Sequence, residues 1–142
     1  MNIPDVNVLI PLFRSDHTLH AAAADWWERS TDAGEPFAVP DLVWIGFARI
    51  VSSQRMFGEP AAFDEVWAFI DAVRSQPHHV SWQAHPRTFE EFARIGADAS
   101  ARGNLVTDAY IAACAATYGA TVVTFDRDYR RFDGLRVREL RA

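Results

Sequence analysis

The chain has 142 residues, 49% of them apolar and 23% charged, enough to bury one sizeable core and too few for a second domain of ordinary size. Seven Gly, seven Pro and 13% aromatic residues exclude a disordered, collagenous or coiled-coil chain. A net charge of -5 argues against bulk attraction to nucleic acid or anionic membrane, so any phosphate contact must be local, and the absence of lysine removes Walker A and Schiff-base chemistry.

Short strands alternate with helices along residues 1-142, read as a single domain, and this alternation predicts an α/β fold with a mainly parallel sheet. The stretch up to Val6 suits a first strand ending near Asp5, with Asn7 capping a short helix through Phe13. This N-terminus lacks the charged region and cleavage site of a signal segment, and no apolar run is long enough to span a bilayer, so a cytoplasmic protein without a membrane partner is expected. His17 to Thr31 is predicted to be helical, with Ala23, Trp26, Trp27 and Ser30 at helical spacings, and Gly34 ends it. Phe37 to Val39 is a short β-prone run, after which Pro40 and Asp41 start a helix carrying Leu42, Ile45, Phe47, Arg49 and Ile50.

Ala61 to Ser75 has Phe63, Val66, Trp67, Ile70 and Val73 on one helical face, and Val80 to Trp82 suits a strand. Thr88 opens a helix with Glu91 at capping-box spacing and an apolar stripe of Phe89, Phe92, Ala93 and Ile95. The Ala-rich segment Thr107 to Tyr118 suits a helix packed closely on a sheet. It contains the lone Cys114, which can form neither an internal disulfide nor a cysteine metal site and reads as a buried residue. Ala120 to Phe125 has the apolar, β-branched character of a central parallel strand, and Leu135 to Val137 suits an edge strand.

In an open α/β sheet, ligands gather beyond the carboxyl ends of the strands. Asp5 and Asp126 fall there, and Asp108 falls in the first turn of the Ala-rich helix, where a helix N-terminus favours a carboxylate. Singly, each Asp reads as a cap, a turn former or a solvated charge. Together they would repel one another unless a divalent cation compensates, and magnesium or manganese suits an all-oxygen site. Such a site hydrolyses phosphodiesters through a metal-bound water without a covalent intermediate.

Asp5-Val6-Asn7-Val8-Leu9-Ile10, Asn104-Leu105-Val106-Thr107-Asp108-Ala109 and Thr124-Phe125-Asp126-Arg127-Asp128-Tyr129 resemble, in order and spacing, the three best-marked blocks of the PIN-domain ribonucleases, and most closely the VapC toxins. His17, His20, Ala24, Trp26-Trp27 and Leu135-Arg136-Val137 extend the resemblance over nearly the whole chain. It implies a three-layer α/β fold with a central sheet flanked by helices, a magnesium-dependent endoribonuclease acting on RNA, a homodimer, and neutralisation by a VapB-type antitoxin. Carried over residue by residue, it implies Asp5, Asp108 and Asp126 as catalytic metal ligands, Asn7 as a group orienting the first carboxylate, and Thr124 as a hydrogen-bonding support. One departure is visible: the helix Leu42 to Arg49 has no acid where many PIN domains place a Glu, leaving Asp41, Asp128 or water to fill the gap.

Two rival readings follow from these features. The missing helix acid motivates a catalytically weak PIN-like domain that binds RNA or protein. An aspartate-dependent phosphatase is disfavoured because Asn7, not a second Asp, lies two residues beyond Asp5 and because no lysine is present. His17 and His20 lie three residues apart but lack a third ligand, and the five Trp residues read as core or interface. Residues 127 to 141 carry six Arg against three acids, either a solvated edge or, with Arg14 and Arg102, a rim holding phosphate.

Overall fold

A computed structural model describes residues 1-54 and 58-142. Among the described residues, three strands form a parallel sheet in the order β1 (Asn2–Pro4), β2 (Thr121–Thr124), β3 (Arg136–Glu139). The helices are α1 (Val6–Phe13), α2 (His20–Asp32), α3 (Asp41–Val51), α4 (Phe63–Arg74), α5 (Thr88–Asp98) and α6 (Asn104–Thr117). The α/β class is therefore as expected from the alternation of elements.

The sheet is centred on β2, whose β-branched run Thr121-Val122-Val123-Thr124 suits a strand covered by helices. Pro4 pairs with Val123, and Thr124 pairs with Glu139 on the other side. Beyond β1 the two expected strands shrink to single bridging positions: Phe37 bridges Asn2 and His79, both in the parallel sense. Pro36 and Pro40 flank the first of these segments, and prolines cannot donate to a ladder. The segment expected as a strand at Val80 to Trp82 makes its bridge one residue earlier, at His79.

Helix α6 packs on β2 and α5, while α1 packs on β2, α2 and α3. Ala109, Ala112, Ala113 and Ala115 are buried together with Cys114, so small side chains bring the backbone of α6 close to its neighbours. Ile3, Val122, Leu9, Phe47, Ile111 and Tyr129 join these residues in one core.

Several local expectations are corrected. Asp5, not Asn7, is the N-cap of α1. Helix α2 begins at His20 rather than His17, and of the four residues at helical spacing Ala23, Trp26 and Ser30 are buried while Trp27 is partly buried. Arg87 precedes α5 without a side-chain cap bond, so the Thr88/Glu91 capping box does not form; Thr88 lies one residue too late to cap and is buried instead. The inward face of α3 is Val43, Trp44, Phe47 and Val51, leaving Ile45 66% exposed, and α4 turns Phe63 and Trp67 outward.

Candidate active site

Because β1 and β2 are parallel neighbours with Pro4 opposite Val123, their carboxyl ends place Asp5 beside Thr124. The Asp5 N–H donates to the Val123 carbonyl at 2.9 Å, continuing the ladder past Pro4. The chain then turns into α1, and Asp5 Oδ1 accepts from the Val6 N–H at 2.7 Å. Capping by Asp5 leaves Asn7, already inside the helix, free to reach across to β2. Its Nδ2 donates to Thr124 Oγ1 at 3.1 Å and its Oδ1 accepts from the Phe125 N–H at 3.1 Å.

Thr124, fully buried, joins these groups. Its hydroxyl donates to Asp5 Oδ2 at 3.0 Å and accepts from the Asp126 N–H at 3.0 Å. Asn7 therefore orients the first carboxylate through Thr124. Asp126 caps a short 3-10 turn, Arg127–Arg131, by accepting from the Asp128 N–H at 2.8 Å.

Asp108 lies one turn further into its helix than expected. Helix α6 begins at Asn104, after Gly103 in the left-handed region at φ +60, so Asp108 lies in the second turn and gains little from the helix N-terminus. Its partners are instead the other acids. Burial first, then the charges of Asp5, Asp126 and Asp128, push its carboxyl up to about 7. Asp5, only 5% exposed, is also raised, chiefly by burial and further by Asp126, against the lowering effect of the Thr124 and Val6 hydrogen bonds.

The three aspartates singled out from the sequence thus share one electrostatic site. Among the described residues, however, no three His, Cys, Asp or Glu side chains close into a ready-made metal cage. The donor set still fits a hard divalent cation: it is entirely oxygen, it carries uncompensated negative charge, and magnesium commonly keeps several waters rather than filling its shell from protein. Asp128 is exposed but close enough to act on Asp108. Asp41 is exposed at the start of α3 and lines an apolar groove. Gly46 meets Val6 closely, an added Cβ lying 3.3 Å from Val6 Cγ2.

Sequence reasoning passed over Tyr129. This side chain is fully buried against Phe132, and its hydroxyl has no hydrogen bond of standard geometry. Even so, it lies near enough to Asp5 and Asp108 to offset part of their elevation. A tyrosine three residues beyond Asp126, where phenylalanine would fill the same space, was the available signal.

His17 and His20 serve backbone geometry. His17 Nδ1 accepts from the Leu19 N–H at 3.0 Å, and His20 Nδ1 lies 2.7 Å from the Pro11 carbonyl. Much of the arginine edge is paired: Arg130 reaches Glu139 at 2.8 Å, Arg127 reaches it at 3.7 Å, and Arg138 reaches Glu35 at 3.1 Å. Arg14 donates to the Glu59 carbonyl at 2.8 Å.

Fold and site together define an α/β protein with an acidic, oxygen-only centre at the carboxyl ends of adjacent parallel strands. The PIN domain pattern matches residues 3–135, and the chain belongs to the PIN-domain family. Ribonuclease VapC31 of Mycobacterium tuberculosis is 38% identical over 136 residues, covering 96% of each chain, which puts this chain among the VapC ribonucleases. In fold it is similar to a chain of VapBC2 from Rickettsia felis bound to a DNA fragment from the promoter, with TM-score 0.72, 14% identity and 99% and 98% of the two chains covered. It is likewise similar to Mycobacterium tuberculosis VapC20, a sarcin-ricin loop cleaving toxin, with TM-score 0.67, 17% identity and 96% and 99% covered.

Proposed function

We propose that this chain is the toxin of a type II toxin-antitoxin pair, a magnesium-dependent endoribonuclease that hydrolyses RNA phosphodiester bonds. The observation carrying this reading is the convergence of Asp5, Asp108 and Asp126 on one coupled site, with the Asp108 carboxyl raised to about 7. Asp5, Asp108 and Asp126 would hold Mg2+, with Mn2+ as a substitute. The bound cation supplies a Lewis acid and a water of lowered pKa.

The chain itself supplies orientation. Thr124 and the Val6 N–H hold the two oxygens of Asp5, Asn7 fixes Thr124, and the turn at Asp128 fixes Asp126. Burial and the neighbouring acids raise both Asp5 and Asp108, so the ionisation of each depends on compensating positive charge. Its net acidity makes the molecule a poor general binder of RNA, so recognition rests on contacts near this centre. The VapBC comparison complexes support a VapB-type antitoxin partner, and the exposed apolar groups on α3 and α4 offer surface for it and for a second copy of the chain in a homodimer.

One observation favours a catalytically weak RNA- or protein-binding domain instead: α3 presents Gly46, not an acid, to α1. Incubating the purified toxin with total RNA in magnesium and in EDTA separates the two readings, cleavage only in magnesium being expected. Asp5→Asn, Asp108→Asn and Asp126→Asn are each expected to lower cleavage about 100-fold or more, and Asp128→Asn by less than about tenfold. If Asp128→Asn is inactive while Asp126→Asn cuts normally, the wrong acid of that turn has been placed in the site.

A further inference from the structure

The six Arg of residues 127 to 141 are not equivalent in the fold. Arg136 pairs with Thr121 at the amino end of β2, and its Nη1 donates to the Gly119 carbonyl at 3.4 Å. Arg138 is tied to Glu35 at 3.1 Å. Arg131 and Arg141 are exposed, and among the described residues no hydrogen bond or ion pair orients them. Arg127 and Arg130 remain, and both meet Glu139. Glu139 stands opposite Thr124 in the register of β3 and β2, about 5 Å away across the sheet. It therefore lies at the same end as the Thr124 hydroxyl, which donates to Asp5 at 3.0 Å.

The two arginines use that carboxylate differently. Arg130 takes both of its oxygens, Nε donating to Oε2 at 2.8 Å and Nη2 to Oε1 at 2.9 Å, the forked pairing that fixes a guanidinium. Arg127 Nε stands 3.7 Å from Oε1, beyond hydrogen-bond distance, and that oxygen already accepts from Arg130. An exposed ion pair this loose contributes little to stability, so Arg127 can exchange it for another anion at little cost. Its backbone, by contrast, is held in place: Arg127 directly follows Asp126 and opens the 3-10 turn that Asp126 caps.

We propose that Arg127 is the phosphate-holding residue of this site, its guanidinium leaving Glu139 to take a backbone phosphate of the RNA adjacent to the one brought to Asp5, Asp108 and Asp126. The inference rests on the reading of those aspartates as the cleavage centre and assigns Arg127 no part in bond breaking. Arg130 stays on Glu139, and by occupying both oxygens it keeps Arg127 from being sequestered there. In a chain of net charge -5, one guanidinium placed beside the acids supplies locally the attraction that the overall charge withholds. A contact of this kind sets the position of the strand without reading its sequence.

The test is binding of a fluorescein-labelled single-stranded RNA of mixed sequence to the full chain, read by fluorescence anisotropy in EDTA over a range of KCl concentrations. Arg127→Gln is expected to bind about tenfold more weakly at low salt, the size of one charged hydrogen bond. It should also flatten the slope of log affinity against log salt by about 0.7, the share of one phosphate contact on a single strand. Arg127→Lys keeps the charge and should restore most of that slope. Arg136→Gln removes the same charge at the opposite end of the sheet and should match wild type in both measures. Equal losses in Arg127→Gln and Arg136→Gln would reduce the effect to net charge and overturn the assignment. Cleavage of total RNA in magnesium separates this inference from the reading beneath it. Wild-type affinity and slope in Arg127→Gln, with the wild type cutting RNA, overturns the role of Arg127 and leaves the ribonuclease standing. A wild type that binds RNA through Arg127 and cuts none keeps the phosphate contact and overturns the ribonuclease, and one that neither binds nor cuts overturns both.

Discussion

The hydroxyl of Thr124 donates to Asp5 Oδ2 and accepts from Asn7 Nδ2 and the Asp126 N–H. Thr124→Val keeps the shape and leaves these groups without their shared partner. Each buried polar group so stranded costs about 1–3 kcal/mol, and because the Asp126 N–H can turn to water the expected total is roughly 2–3 kcal/mol, whereas Thr124→Ser should restore most of it. Thermal melting checks this, and a Val variant as stable as the Ser variant would remove Thr124 from the centre of the network. Asp108 gives a pH dependence. Its carboxyl ionises near 3.8 in an unfolded chain and at about 7 here, so the folded state binds a proton that the unfolded state has released. The stabilisation this gives is complete below about pH 4 and is lost as pH rises through 7. In EDTA the melting temperature should therefore fall between pH 5 and pH 8, by the equivalent of about 1–2 kcal/mol once solvent screening of a half-exposed carboxylate is allowed for. Asp108→Asn should flatten that slope, and magnesium should restore stability at pH 8. An unchanged slope in the Asn variant would locate the titrating group elsewhere.

The contact between α1 and α3 bears on how firmly Asp5 is held. Gly46 lets α3 approach Val6, the residue whose N–H caps against Asp5. In Gly46→Ala, better helix propensity contributes about 1 kcal/mol, while the new methyl pushes Val6 by a few tenths of an ångström. Stability should change little and the magnesium-induced rise in melting temperature should shrink. A full-sized rise would show that the approach of α3 is irrelevant to the site. The same elements show what the sequence could reveal. Strand β2 and helix α6 were legible because β-branched and small-residue runs reflect local packing needs, and Asp5 and Asp126 stand out in the sequence because they fall at element ends, whereas Asp108 lies inside α6. The cap of α1 was misread because Asp5 and Asn7 are both good capping residues, and only the pairing of Pro4 with Val123 decides between them. The position of Asp108 in its helix depends on Gly103 starting α6 earlier than the apolar pattern suggests. The burial of the Tyr129 hydroxyl beside the acids was not legible, because it depends on the packing of elements far apart in the chain.

At the scale of the molecule, polar chemistry and exposed apolar surface lie in different places. Asp5 and Asp126 sit at the carboxyl ends of β1 and β2 and Asp108 lies on α6, whereas Trp44, Ile45, Phe63, Trp67 and Trp82 line an open groove of about 450 Å³ between α3 and α4. Ile45, Phe63 and Trp67 are 66%, 67% and 48% exposed, so their outward placement gains little in folding, and a concave apolar surface of this kind suits the apolar face of a partner helix. Asp41 at the start of α3 and Arg74 at the end of α4 add opposite charges to the lining, a polar addition that favours specific docking over indiscriminate adhesion. If this groove seats a VapB-type antitoxin, Ile45→Arg should leave the melting temperature and RNA cleavage in magnesium close to wild type, because the side chain is exposed and makes no part of the acid network. It should weaken co-purification with the antitoxin by about 100-fold, as expected for a charge buried against an apolar helix. Light scattering on the same variant reports separately on self-association: retention of a dimer would show that the two interfaces are distinct, while a strict monomer in both variant and wild type would remove the homodimer. An antitoxin complex that survives Ile45→Arg with its affinity intact would place the partner on another face, the best remaining one being the aromatic surface around Phe89, which is 72% exposed.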